Sequence, residues 1–159
     1  VLEDYPEDLT REEIPLYLAR KKADAFNDEL KDNMLIITAD TIVWKDDQVL
    51  TKPKDEKEAY DILRSLSGNV HQVYTGVCIR SVNQKTTFSS RTDVYFKDLT
   101  DKEIWYYIDK YEPFDKAGAY GIQEWLGYIG VEKIEGSFFN VMGLPVQKLY
   151  VQLRKFLNL

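Results

Sequence analysis

Residues 70–96 read VHQVYTGVCIRSVNQKTTFSSRTDVYF. From Val70 to Val82, and again from Thr86 to Phe96, the run alternates and is rich in β-branched and aromatic residues, which suit a pleated surface. Asn83-Gln84-Lys85 separates the two halves, so the stretch predicts a long β-hairpin. Upstream, Ala59, Ile62, Leu63 and Leu66 form one stripe of a helix over residues 55–66, with Asp55 as its cap and Gly68 as its stop. Met34 to Thr38 reads as a buried strand, and Ile42 to Trp44 with Val49-Leu50 reads as a hairpin around Lys45-Asp46-Asp47-Gln48. Ile14, Leu18, Ala19, Ala23, Phe26 and Leu30 predict an opening helix over residues 14–30. Downstream, a capping box from Thr100 to Glu103 opens another helix, Leu126 to Ile134 is strand-like, and Pro145 starts a closing helix. The order predicts one α/β domain with no repeat and no linker. Strand order stays open.

Composition narrows the functional classes. With 159 residues the chain suits one domain with a real core. Its net charge of −6 disfavours a nucleic-acid partner, although a few lysines and a divalent cation can reverse the field locally for a small anion. No apolar run is long enough for a membrane span. A lone Cys78 allows neither an internal disulfide nor a cysteine zinc site, and a buried thiol in a reducing cytoplasm is the expectation. His71 is the sole histidine, which removes multi-histidine zinc sites and leaves it a structural role.

Four segments carry more chemistry than folding requires. Ile36 to Thr41 ends an apolar strand on Asp40 and Thr41, which either face a ligand at the strand tip or bond to backbone in a turn. Lys52 precedes Pro53, so it stands on extended backbone, aimed at a phosphate or simply solvated. In Asp115-Lys116-Ala117-Gly118-Ala119-Tyr120-Gly121-Ile122-Gln123, small residues permit close backbone approach between a charged pair and an amide. The segment fits neither a dinucleotide fingerprint nor a P-loop. Finally, Gly136 to Pro145 leads into the last helix with Ser137 and Asn140 as cap, turn or ligand residues.

Taken in order, these pieces resemble the Maf family of septum-formation-inhibitor-like proteins: Ala39-Asp40-Thr41, Lys52-Pro53, Leu66-Ser67-Gly68, His71-Gln72-Val73, Thr75-Gly76-Val77, Thr92-Asp93-Val94, residues 115–123, and Gly136-Ser137 with Asn140 and Gly143-Leu144-Pro145. The resemblance implies a two-lobed α/β fold like the inosine triphosphate pyrophosphatases, with a long mixed β-sheet flanked by helices and a cleft between lobes. It implies hydrolysis of a nucleoside triphosphate, dTTP or UTP, to the monophosphate and pyrophosphate with Mg²⁺ or Mn²⁺, and a homodimer.

By the same resemblance Asp40 is the catalytic proton acceptor, Thr41 and Gln123 mark the dTTP/UTP branch, and Lys22 and Lys52 are lysines of the phosphate cleft. Glu3 matches an acidic position and would join Asp40 at the metal, and Lys116, positioned by Asp115, would hold phosphate oxygens. Two departures stand out. The family's opening Ser-x-Ser-Pro-Arg-Arg has no counterpart here, so either a preceding segment is missing or the chain is a degenerate member. Glu124 follows Gln123 where a glycine is usual. A non-catalytic nucleotide-binding regulator of cell division is the alternative of another class, and a pyrophosphatase for non-standard purines is a third.

Overall fold

The computed structural model describes Val1–Leu159. The expected hairpin is its centre: β3 (Val70–Arg80) pairs with β4 (Lys85–Phe96) from Val70↔Tyr95 to Arg80↔Lys85. On one side lie β1 (Ile36–Lys45) and β2 (Gln48–Leu50), and on the other β5 (Val131–Glu135), giving the order β2-β1-β3-β4-β5. Every pairing is antiparallel, where a mixed sheet was expected. Two neighbouring pairs are tight hairpins, which must be antiparallel. The strands that do run the same way, β2, β3 and β5 in one direction and β1 and β4 in the other, are always separated by an intervening strand.

The helices are α1 (Glu13–Asp24), α2 (Glu56–Leu66), α3 (Asp101–Tyr111), α4 (Trp125–Gly130), α5 (Phe138–Met142) and α6 (Val146–Phe156). Asp55 caps α2 by accepting from the Glu58 N–H, and Thr100 with Glu103 forms the expected capping box on α3. No helix is long and apolar enough to cross a membrane.

Three local readings change. Helix α1 stops at Asp24 rather than at Leu30, and a 3-10 turn follows at Asn27–Glu29. The sheet runs out there. Arg80, the last residue of β3, and Lys85, the first of β4, both donate to Asp24, at 2.5 and 2.8 Å, while Phe26 is exposed. The strand-like run from Leu126 to Ile134 divides into α4 and β5. A short apolar run does not distinguish the two states by periodicity, and Gly127 lets the α4 turn press onto the Ile122 carbonyl, where any Cβ would overlap. The third change matters most. Residues 34–38 and 42–44 are not two strands, because β1 runs unbroken through Asp40 and Thr41, paired to β3 from Ile36↔Arg80 to Trp44↔Gln72. Asp40 is therefore in mid-strand, not at a tip.

Alternation along the strands sorts the two faces. On one face α1 packs Ile14 and Leu18 against Ile42, Trp44 and Tyr74, and Ala19 and Ala23 against Cys78. The other face carries two separate apolar clusters. One gathers Val43, Val73, Val94 and Phe96 with residues of α2 and α3, and the other gathers Val77, Ile79 and Phe88 beneath Phe156 of α6. Between these two lobes runs a polar strip: Thr75 donates to the Asn140 carbonyl at 3.1 Å, Thr92 to the Ser137 carbonyl at 2.8 Å, and the Asn140 amide to Val73 and Thr92.

Gly76, opposite Asp40, sets how closely α1 approaches the sheet, since a Cβ there would overlap the Pro15 and Leu16 backbone. Gly76→Ala is expected to destabilise the fold by about 1–3 kcal/mol through overpacking, read as a lower urea midpoint. An unchanged midpoint would show that α1 is not seated this tightly.

Candidate active site

Strand β2 pairs only with Val43 to Lys45, so the outer edge of β1 from Ile36 to Ile42 has no strand partner. A cleft of about 780 Å³ wraps that free edge, within the range of small-molecule sites. Because it wraps an edge, it collects neighbouring side chains that point to opposite faces: Asp40 from the α1 side and Thr41 from the inter-lobe side. Its wall is also polarised. Glu3, Lys52, Lys54, Asp115 and Lys116 form a charged part, and Val73, Tyr120, Ile122, Val141 and Met142 an apolar one.

Six of the seven residues singled out from the sequence line this one cleft: Glu3, Asp40, Thr41, Lys52, Lys116 and Gln123. Lys22 does not. From α1 it donates to Asp40 at 2.7 Å and stands 3.5 Å from Glu3, behind the wall. Lys52 lies 3.9 Å from Glu3, and Lys116 3.1 Å from Asp115. Tyr5, Lys54 and Met142 were missed. Lys54 had a signal: it is a second lysine directly after the proline that stiffens the backbone at Lys52. Tyr5 and Met142 carried none, since they reach the cleft only through tertiary packing.

The Asp40 side chain is only 8% exposed. Burial pushes its carboxyl above the ordinary value, and Lys22, then Lys52, pull it back incompletely while Glu3 adds to the rise. Burial opposes the charge on Lys22, yet Asp40 and Glu3 outweigh it and hold that ammonium more firmly protonated. A carboxylate of raised pKa in a cleft is what proton abstraction requires.

Thr41 is set up as an acceptor. Thr75 spends its proton on the Asn140 carbonyl, because the reverse polarity would face two oxygen lone pairs across 3.1 Å. The 2.8 Å contact between the two threonines is then a donation from Thr41, whose lone pairs remain for the cleft. His71 has the structural role expected of it. It is fully buried, 2.6 Å from the Tyr120 hydroxyl and edge-on to Phe96, and burial, then the charge of Lys45, holds its pKa down at about 3.

No group of three or more His, Cys, Asp or Glu side chains is arranged as a metal cage. Glu3 and Asp40 nevertheless converge on one ammonium, that of Lys22. Two carboxylates fit a magnesium-type ion that takes its other oxygens from phosphate and water.

An α/β sheet with a cleft part charged, by three lysines and three carboxylates, and part apolar defines a small-molecule site. The sequence matches the Maf-like protein family over residues 1–156, and the chain belongs to that family. It is 58% identical over 154 residues to a protein of Parabacteroides distasonis, covering 97% of this chain and 80% of that one. It is 56% identical over 153 residues to one of Bacteroides thetaiotaomicron, covering 96% and 79%, and 53% identical over 158 residues to one of Porphyromonas gingivalis, covering 98% and 79%. All three relatives are named dTTP/UTP pyrophosphatase.

Because the folded Asp40 binds its proton more tightly than the unfolded chain does, its stabilising contribution is complete below the unfolded value of 3.8. That contribution is lost as pH rises through the higher folded value. With metal chelated, the Asp40 carboxyl is expected to titrate above 3.8 when followed by carboxyl-carbon NMR, and a midpoint at or below 3.8 would contradict the burial argument.

Proposed function

We propose that this chain is a nucleoside triphosphate pyrophosphatase that hydrolyses dTTP and UTP to the monophosphate and pyrophosphate. The observation that carries the reading is the buried Asp40 carboxylate opening onto the same cleft as Lys52, Lys54 and Lys116. A triphosphate brings several negative charges, so neutralising and orienting it contributes more than covalent help would. Lys52, Lys54 and Lys116 hold phosphate oxygens. Lys22 keeps Asp40 in place and balances its charge, a supporting role rather than a direct phosphate contact.

Asp40 takes the proton of the attacking water, and the bond between the α-phosphorus and its bridging oxygen breaks to release pyrophosphate. A divalent cation, Mg²⁺ or Mn²⁺, would be held by Asp40 and Glu3 and would supply further charge neutralisation at the phosphates. The base lies in the apolar part. There the Thr41 acceptor and the Gln123 amide, which offers both a donor and an acceptor, suit the imide edge of uracil or thymine. The partner is a free nucleotide rather than nucleic acid. A cytoplasmic homodimer is the setting we infer, in keeping with the single buried thiol of Cys78.

Pyrophosphate release from dTTP, UTP, ITP and 7-methyl-GTP, compared in one assay with Mg²⁺, tests the reading. Turnover of the two pyrimidines should lead and should vanish with chelator, whereas preference for a purine would overturn the assignment. Asp40→Asn should lower kcat by about 10²–10⁴-fold, the usual worth of a positioned general base, while UTP still binds. Near-normal turnover would remove Asp40 from its role.

A further inference from the structure

Glu124 opens α4 from the N-cap position, yet its side chain caps nothing. Glutamate is a poor residue for that position, and here the carboxylate turns to other partners. It accepts from the Tyr107 hydroxyl at 3.3 Å and stands 3.2 Å from the Lys116 ammonium. Tyr107 is fully buried in α3 and is fixed from its other side, accepting from the Gly121 N–H at 3.1 Å. Burial also raises the Tyr107 pKa, which keeps the phenol a donor. Gly121 leaves room for the arrangement, because a Cβ there would sit 2.6 Å from the Glu124 carboxylate and 3.0 Å from the Lys116 stem.

Lys116 has a second carboxylate partner of different character. Asp115 is 78% exposed, whereas the Glu124 side chain is 21% exposed. Asp115 is itself in the cleft wall but largely exposed, so alone it would hold the ammonium in no fixed place. The Tyr107–Glu124 pair adds a rigid anchor.

We propose that Glu124, itself fixed by Tyr107, is a positioning residue that holds the Lys116 ammonium in one place beside the cleft, which the largely exposed Asp115 alone does not do. This deepens the functional reading above and rests on Lys116 as a phosphate ligand. Glu124 lies outside the cleft wall, so its effect on substrate passes through Lys116.

A double-mutant cycle on UTP hydrolysis tests it, with KM and kcat measured for the wild type, E124A, K116A and E124A/K116A, and thermal melting recorded for each. Losing a charged phosphate contact should raise KM by about tenfold in K116A. E124A should raise it about fivefold, with a smaller change in kcat, and the double mutant should be no worse than K116A alone. E124Q keeps the bond from Tyr107 and the side-chain volume but loses the ion pair, so it should match E124A in KM. It also carries the same cycle if E124A does not fold. Effects that add in the double mutant, or a KM that stays constant or falls in E124A, would overturn the proposal while leaving Lys116 as a ligand. An unchanged KM in K116A would instead remove Lys116 from the phosphate site, and the proposal with it.

Discussion

The contact between Lys22 on α1 and Asp40 in mid-β1, 2.7 Å long and largely out of water, constrains much of what surrounds it. A carboxylate in mid-strand under a helix is costly unless a cation or hydrogen bond meets it. Here the cation comes from the helix that covers it. That helix reaches the sheet because Gly76 opposite Asp40 has no side chain, and because Ala19 and Ala23 are small where they meet Cys78. Glu3 meets the same ammonium at 3.5 Å. Removing the lysine would leave two nearby carboxylates with only the more distant Lys52 to offset them. A charged site is thus tied directly to helix packing.

A second constraint is geometric. Strand β2 is three residues long, so the strand it flanks keeps a free edge beside Asp40 and Thr41. On the inter-lobe side, the apolar clusters stop short of one another and leave the threonine strip with Asn140 between them. One cleft therefore meets charge from one face of the sheet and apolar surface with an oriented hydroxyl from the other. A nucleotide has the same division, with an anionic tail and a flat base. The chain spans about four fifths of the length of the relatives it matches, and the residues described here form this part of the site.

Much of the fold was legible locally. The cap at Asp55 and the Thr100–Glu103 box rest on contacts within one helical turn, the hairpin from Val70 to Phe96 on two runs joined by a short turn, and all appear. What was not legible depended on partners distant in sequence. Asp40 and Thr41 looked like the end of a strand because a carboxylate is rarely buried in one; the lysine that makes it tolerable comes from eighteen positions earlier and a different element. Likewise Leu126 read as strand because its run is short and apolar, while the close approach of Gly127 to Ile122 exists only in three dimensions. For the site, residue types with evident chemistry could be named, but Tyr5 and Met142 could not, since their contribution is shape.

The central claim is that one cleft binds the phosphates at its charged part and the base at its apolar part. A crystal structure of the protein with Mg²⁺ and the α,β-imido analogue of UTP, which resists cleavage at the relevant bond, tests this most directly. The account predicts phosphate oxygens within hydrogen-bond reach of Lys52 and Lys116, the Asp40 carboxylate beside the α-phosphate, and the uracil against Thr41 and Gln123. Phosphates bound away from these lysines, or a uracil lodged beside Asp40 with the tail directed at Met142, would contradict it.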